Sequence, residues 1–393
     1  MTETTQNSVL TSIEIQHTRG ESISKIVSDT HFIRQDTQIG DLSVALIQDD
    51  GIEALGVVDE KGRVVGLLDR LELYNLLGRP FGLDVLKKKP VSELMQDAIR
   101  FHFERNIYSV SDIIDENLRS AKKEFFLLVD ENSRFRGIFS SVDMLMYLSD
   151  ITKKDIALAR TLQNRVVKEE ELIEGEGFSL INTSQMAKGV GGDFYACDHY
   201  TKGKIFLSVC DVSGKGVAAS LLTSAMWGIY SLRSYRESVQ EFIITLNSYL
   251  YRTFEAERFV TAIFCDFDAE EGTLDICDLG HSYIYLYREG TLHKLKIAKS
   301  NPPLGIFDAL ELSMFRMTLQ KGDMVLIVTD GLIEQTNSEG IEYPLRSLKD
   351  ILVSTEGMDL RTVKTTLLED FYHFRGTQAQ HDDVTFSLLR YDL

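Results

Sequence analysis

No stretch of this chain approaches the roughly eighteen uninterrupted apolar residues that a membrane-spanning helix needs. The first twenty residues have no apolar signal core either, and the expectation is an unexported, cytoplasmic protein with no membrane partner. Cysteine is scarce, at four residues, and Cys197, Cys210, Cys265 and Cys277 form no Cys-x-x-Cys pair. Three of them, Cys210, Cys265 and Cys277, lie inside β-type apolar runs, so they read as small buried hydrophobes rather than zinc ligands or disulfides. Basic charge is also short. Lys and Arg number 42 against 60 Asp and Glu, a formal charge of −18, and such a surface repels nucleic acid and anionic lipid.

What is present is ordinary globular material: 393 residues, 44% hydrophobic and 9% aromatic, enough for two or three domains. Residues 1–21 show no stable period and read as a flexible arm. Residues 22–150 contain a repeat. Ala54-Leu-Gly-Val-Val-Asp59-Glu-Lys-Gly62-Arg-Val-Val-Gly66-Leu-Leu predicts a hairpin with an acidic turn, followed by a helix over 70–77. Phe125-Phe-Leu-Leu-Val-Asp130-Glu-Asn-Ser-Arg-Phe-Arg-Gly137-Ile-Phe repeats that order, with a helix over 141–149. This pair resembles a tandem CBS-domain (Bateman) module. In that family a Gly-x-x-Ser/Thr-x-x-Asp segment often holds an adenine nucleotide, and Gly137-Ile-Phe-Ser140-Ser-Val-Asp143 fits it. The first copy has Asp69 where the hydroxyl belongs, which would repel phosphate, so the resemblance implies at most one nucleotide site, at Ser140 and Asp143. A purely structural dimerisation module, with Asp143 only capping a helix, is the alternative.

No Gly or Pro falls between Leu148 and Leu172, and Leu148, Ile151, Leu158, Leu162 and Val166 recur at helical spacing, interrupted by Asp155. The expectation is a linker helix over 151–172 that pairs with its twin, so that the chain is a homodimer through this helix and the N-terminal module, with packing on its own domain as the alternative.

From residue 173 onward, apolar runs at 259–267, 274–279, 283–287, 324–329 and 384–389 predict strands. Helices are predicted at 217–232, 239–254, 345–352 and 360–374, and their grouping in pairs indicates an α+β layered domain. The stretch Ile205-Phe-Leu-Ser-Val-Cys210-Asp211-Val212-Ser-Gly-Lys215-Gly216 runs from strand through acidic residue and glycine turn into helix. Alone it reads as a turn. Three more strand edges carry Asp, however: Gly191-Gly192-Asp193, Thr329-Asp330-Gly331 and His381-Asp382-Asp383. Carboxylates gathered on one rim repel unless a cation neutralises them, and oxygen-only donors suit Mg²⁺ or Mn²⁺ rather than zinc. Two such ions imply hydrolysis of a phosphate ester.

In order along the chain, Gly-Gly-Asp-Phe-Tyr, Asp-Val-Ser-Gly-Lys-Gly, Gly280-His281, Pro303-Leu-Gly-Ile-Phe, Thr-Asp-Gly-Leu-Ile-Glu and Asp-Asp-Val-Thr resemble the metal-dependent (type 2C) protein serine/threonine phosphatases. The similarity is to their bacterial SpoIIE/RsbU-like branch, over 173–393. Ala159-Arg-Thr-Leu-Gln163 resembles the helix that precedes the domain there. The resemblance implies an α-β-β-α sandwich. It also implies that Asp193, Asp211 and the Val212 carbonyl hold a two-metal centre of Mn²⁺ or Mg²⁺ together with Asp330 and Asp382. A water bridging the metals would attack phosphorus directly, and no Cys-x5-Arg nucleophile loop is present. Lys215, His281 and Asp383 would contact substrate or support the ligands, although each also reads as structural: a solvated lysine, a corner histidine and a turn cap. Glu334 reads as a turn residue. Ala196, Ser282 and Pro344 stand where the family usually has Asp, Pro and Gly.

The expected substrate, from the resemblance alone, is a phosphorylated STAS-type anti-sigma factor antagonist in a partner-switching circuit, with activity governed by the CBS module. A catalytically inactive nucleotide-sensing scaffold is the rival class, and its signature would be a missing carboxylate. A small-molecule phosphatase on the same fold is a third reading.

Overall fold

The computed structural model describes residues 9–14, 20–120, 122–201, 203–233, 238–297 and 301–393. Two compact units divide the chain, Met1–Lys153 and Lys154–Leu393.

The first unit holds two similar halves. One contains β1 (Thr11–Ser12), β2 (His31–Arg34), α1 (Ile39–Gln48), β3 (Ala54–Val58), β4 (Val64–Asp69), α2 (Arg70–Leu77) and α3 (Gly82–Leu86). The other contains β5 (Arg100–His102), α4 (Ile107–Ile113), α5 (Asp115–Leu118), β6 (Phe125–Val129), β7 (Phe135–Ser140) and α6 (Ser141–Val166). In each half a parallel strand pair is followed by an antiparallel hairpin, β2-β3-β4 and β5-β6-β7. Both hairpins slip register at the same place, after Val57 and after Leu128. Asp59 and Asp130 close the two turns by accepting backbone N–H bonds from Lys61 and Arg63, and from Asn132 and Arg134. The hairpin tips pair through Arg63 and Arg134, and Ala54, Val58, Leu67, Leu127, Phe135 and Ile138 form one core that joins the halves.

Two expectations change here. Most of the arm lies outside the described residues, but Thr11 and Ser12 form an edge strand on Phe32 and His31. The helix expected over 151–172 instead starts at Ser141 and ends at Val166, and Glu170–Gly175 is a strand. Breaker-free sequence does not distinguish a long helix from a helix followed by an edge strand. Along α6, Leu158 and Leu162 are exposed, whereas Gln163 is buried.

The second unit opens with β8 (Glu170–Gly175), β9 (Phe178–Gln185), β10 (Phe194–Thr201), β11 (Lys204–Val212), α7 (Val217–Ser231) and α8 (Val239–Phe254). The strands β12 (Val260–Asp268), β13 (Thr273–Leu279), β14 (Ile284–Arg288), β15 (Thr291–Lys294), β16 (Phe315–Thr318) and β17 (Met324–Val328) follow. It closes with α9 (Asp330–Ile333), α10 (Leu345–Ser354), α11 (Leu360–Arg375) and β18 (Val384–Tyr391). Two sheets form, in the orders β10-β11-β12-β13-β16 and β15-β14-β17-β18-β9-β8.

Alternation along the strands sets the layers. Ile205 and Leu207 face Leu180, Val325, Ile327 and Leu389 of the other sheet, leaving only about 10 Å³ between them. Phe206 and Phe264 turn outward against Tyr230 of α7 and Phe242 of α8. Leu326, Val328, Phe386 and Leu388 turn the other way, onto α10 and α11 through Leu348, Leu352, Leu367 and Phe371. The result is helices, sheet, sheet, helices. Two of this unit's helices are started by local side-chain chemistry: Ser238 and Glu241 form a reciprocal capping box on α8, and Asp359 caps α11.

Candidate functional site at the rim between the sheets

The acidic residues are delivered by strand register. Phe194 pairs with Cys210 between β10 and β11, so one step outward Asp193 stands opposite Asp211. Asp211 also shares the face of Ile205 and Leu207, and therefore points between the sheets. On the opposing sheet, Asp330 begins α9 just beyond β17, and Asp382 and Asp383 lead into β18, which pairs with β17.

Asp193 is 3% exposed, and Thr329 Oγ1 donates to its Oδ2 at 2.6 Å. Thr385 N in turn donates to Thr329 Oγ1 at 2.9 Å. Burial, then the charges of Asp211 and Asp383, push the Asp193 carboxyl well above its ordinary range, against the pull of Thr329. Burial and the facing charges of Asp330, Asp382 and Asp383 push Asp211 up to about 7, while a hydrogen bond with Asp193 works the other way. Asp330 is raised by burial, Asp382 and Glu334, with the Gly331 N–H and Lys215 opposing. These groups carry an electrostatic cost that grows as they ionise.

Asp383 differs from the others. Its Oδ1 accepts from Ala187 N and its Oδ2 from Gly192 N, both at 2.8 Å, so it ties the Gly191-Gly192 loop to β18. Close packing here requires glycine: a Cβ on Gly191 would lie 1.8 Å from Asp383 Oδ2, and one on Gly331 1.9 Å from the Asp383 carbonyl. A Cβ on Gly192 would lie 2.8 Å from the Val212 carbonyl oxygen, which places that oxygen beside Asp193. Asp382 is engaged otherwise. Lys215 Nζ lies 2.6 Å from its Oδ2, and Asp382 Oδ1 accepts from Asp383 N at 2.9 Å.

The structure thus brings Asp193, Asp211, Asp330, Asp382, Asp383, the Val212 carbonyl and Lys215 to one rim. His281 is not among them. It is 5% exposed; its Nε2–H donates to the Val328 carbonyl at 2.8 Å and its Nδ1 lies 3.3 Å from Thr261 Oγ1, so both nitrogens are engaged inside the fold. Burial lowers its pKa and favours the neutral ring, against the Val328 bond. His281 is therefore a structural corner residue rather than one presented to substrate. Glu334 is exposed and accepts from the Tyr283 hydroxyl at 3.0 Å. Ser140 and Asp143 lie in the first unit. Ser140 is fully buried, and its N and Oγ both donate to Asp143 Oδ2, at 2.7 and 2.6 Å.

Two residues join the site to which the motif reading gave no role, although both lie within its motifs. Thr329 was visible only as the neighbour of Asp330. Gln163 of α6 is 2% exposed; its Nε2 donates to the Gly191 carbonyl at 2.8 Å and its Oε1 accepts from Gly191 N at 3.1 Å. A polar residue in a helix otherwise read for its apolar stripe was the available signal.

Among the described residues, no three acidic, His or Cys side chains converge into a closed metal cage. The donor chemistry nonetheless fits a hard divalent cation: Asp193 and Asp211 are adjacent, oxygen-only and crowded by the charges of other carboxylates, with the Val212 carbonyl oxygen against Gly192.

Residues 201–392 match the family described as Stage II sporulation protein E (SpoIIE). The chain is 25% identical over 249 residues to the phosphoserine phosphatase RsbP of Bacillus subtilis, covering 61% of this chain and 58% of RsbP. It is 25% identical over 248 residues to the phosphoserine phosphatase RsbU of the same organism, covering 61% of this chain and 70% of RsbU. The chain thus spans less than two thirds of RsbP. The fold is similar to the SiaA-PP2C domain of Pseudomonas aeruginosa, with a TM-score of 0.51 and 18% identity over 62% of this chain and 99% of that one. The C-terminal part of the chain is thus similar in sequence to SpoIIE-type proteins and in fold to a PP2C domain. No helix among the described residues is long and apolar enough to cross a membrane.

Proposed function

We propose that residues 173–393 hydrolyse phosphoserine or phosphothreonine on a regulatory protein, with Mn²⁺ or Mg²⁺ as cofactor and a STAS-type anti-sigma factor antagonist as substrate. The observation that carries this reading is the placement of Asp193 opposite Asp211 at adjacent strand ends, both raised by burial, Asp193 also by Asp211 and Asp383, and Asp211 also by Asp330, Asp382 and Asp383. A divalent cation between them would convert that repulsion into binding energy. In this reading Asp193, Asp211 and the Val212 carbonyl hold one ion, and Asp330 and Asp382 hold the second. When bound, the ions would polarise the phosphoryl oxygens and supply an activated water near neutral pH. The chain's own residues do the positioning. Thr329 fixes the rotamer of Asp193, and Asp383 fixes the loop that carries it. The scaffold reading is disfavoured because every proposed carboxylate is present.

Regulation in this reading comes from the N-terminal unit, taken as a CBS pair acting within a homodimer. Helix α6 carries residues of both units, and its Gln163 grips Gly191, two residues before Asp193. Because Ser140 and Asp143 satisfy each other, the second hairpin is better suited to an architectural role than to holding a nucleotide phosphate.

The test is phosphate release from a phosphoserine protein with Mn²⁺ present. Asp211→Asn is expected to lower the rate by more than about 100-fold, beyond the loss typical of a residue that only supports a metal ligand. Equal rates in variant and wild type would refute the assignment.

A further inference from the structure

The acidic rim has two halves, and only one of them contains a protein cation. The charged groups facing Asp193 and Asp211 are all carboxylates. Asp382 instead meets Lys215. That lysine sits in the turn after β11 between Gly214, at φ +101, and Gly216, at φ +75, both backbone conformations that favour glycine. From this turn Lys215 reaches across the rim to the loop before β18. Its Nζ lies 2.6 Å from Asp382 Oδ2 and donates to the His381 carbonyl at 3.1 Å. A carboxylate and a carbonyl oxygen are the donors a hard divalent ion would also take.

Asp382 has little freedom to serve both. Its Oδ1 accepts from Asp383 N, and its loop is pinned by Gln380 Nε2 on the Gln185 carbonyl at 3.1 Å and by His381 N on Gln335 Oε1 at 3.0 Å. A divalent ion approaching Asp382 must displace the ammonium or tolerate its charge.

We propose that Lys215 is a built-in competitor for Asp382, so that the two cation positions fill in sequence: the Asp193–Asp211 side first, and the Asp382 side only at higher metal concentration. The proposal rests on the metal reading above. Lys215 acts through Asp382 and is a positioning residue, one that sets the metal concentration at which the second position fills.

Calorimetric titration of Mn²⁺ into the full chain reads this without reference to turnover. Wild type is expected to show a tighter and a weaker class of site. Lys215→Met should tighten the weaker class by about tenfold and leave the tighter one unchanged. Lys215→Arg keeps the charge and should stay near wild type, which separates charge from packing. Because Lys215 is half exposed, both variants should fold, with the far-ultraviolet spectrum as the check. If Lys215→Met leaves the weaker class unchanged or weakens it, the competition is overturned. Absence of any Mn²⁺ binding by wild type, or full binding by Asp211→Asn, would instead overturn the metal reading beneath it.

Discussion

Strand-end aspartates occur in both units, and their surroundings push them in opposite directions. In the first unit, Asp59 is lowered chiefly by the Arg63 backbone N–H bond. Burial pushes Asp130 up, but the N–H groups of Arg134 and Asn132 and the Arg136 guanidinium outweigh it, leaving it below the ordinary range. In the second unit Asp193, Asp211 and Asp330 are all raised, because burial and other carboxylates outweigh the few donors that reach them. The local sequence is similar in kind, an Asp at one end of an apolar strand. What separates the two sets is the balance of burial and facing carboxylates against donors: even Asp383, which accepts from Ala187 N and Gly192 N, is raised by burial. The first set stabilises its hairpins, and the second stores repulsion that a bound cation could relieve.

The largest expected effect comes from neutralising the most buried member of the raised set. Asp193→Asn should cut phosphate release by more than about 100-fold, while raising the melting temperature of the C-terminal unit in EDTA. The amide keeps the size, can still accept from Thr329 Oγ1, and removes the carboxyl whose ionisation burial, Asp211 and Asp383 oppose. Calorimetry in chelator beside a phosphate-release assay gives both readouts. A variant that is both inactive and less stable would place Asp193 with the hairpin aspartates and break the contrast.

A smaller effect follows from pH. Asp211 is held at about 7, above the ordinary carboxylate value of 3.8, so the folded state keeps a proton that the unfolded chain has lost. Stability from this group is then present at low pH and falls as pH rises from about 4 through 7. In chelator the C-terminal transition should drop by a few °C, on the order of 1 kcal/mol or more for a domain of this size, between pH 5 and pH 8. Asp211→Asn should flatten that slope. Saturating Mn²⁺ should flatten it too, since the metal favours the ionised form. A wild-type transition that rises over this range in chelator would contradict the repulsion.

Much of this was legible because period-two and helical patterns survive wherever the layers are apolar. Helix α8 falls on the expected 239–254, and the core strands β12, β13, β14, β17 and β18 lie within a few residues of expectation. Strand β9 was missed for a physical reason. Its inward positions Asn182 and Ser184 are polar, bonded to Ser387 and Thr385 across β18, so the alternation that marks a half-buried strand is hidden near the rim. The acidic motifs were readable one by one, but their convergence depends on β10–β11 and β17–β18 pairings that no local pattern specifies. Lys215 could be read as a substrate contact or as a solvated turn lysine, but not as the partner of Asp382, which lies far along the chain.

The smallest effect tests the other side of the contrast. Asp130→Ala removes the acceptor for Asn132 N and Arg134 N at the tip of the second hairpin. That tip pairs with the first through Arg63 and Arg134, so the loss should reach the junction between the halves. A cost of about 1 kcal/mol is expected, read as a lower melting temperature of the N-terminal unit. The sign is opposite to that of Asp193→Asn, although both changes delete one carboxylate beside a strand. Phosphate release at saturating Mn²⁺ should be unchanged if Asp130 serves only its own hairpin. If Asp130→Ala instead stabilised its unit, the turn aspartates would be repelling as well, and the balance of donors against burial would no longer separate the two sets.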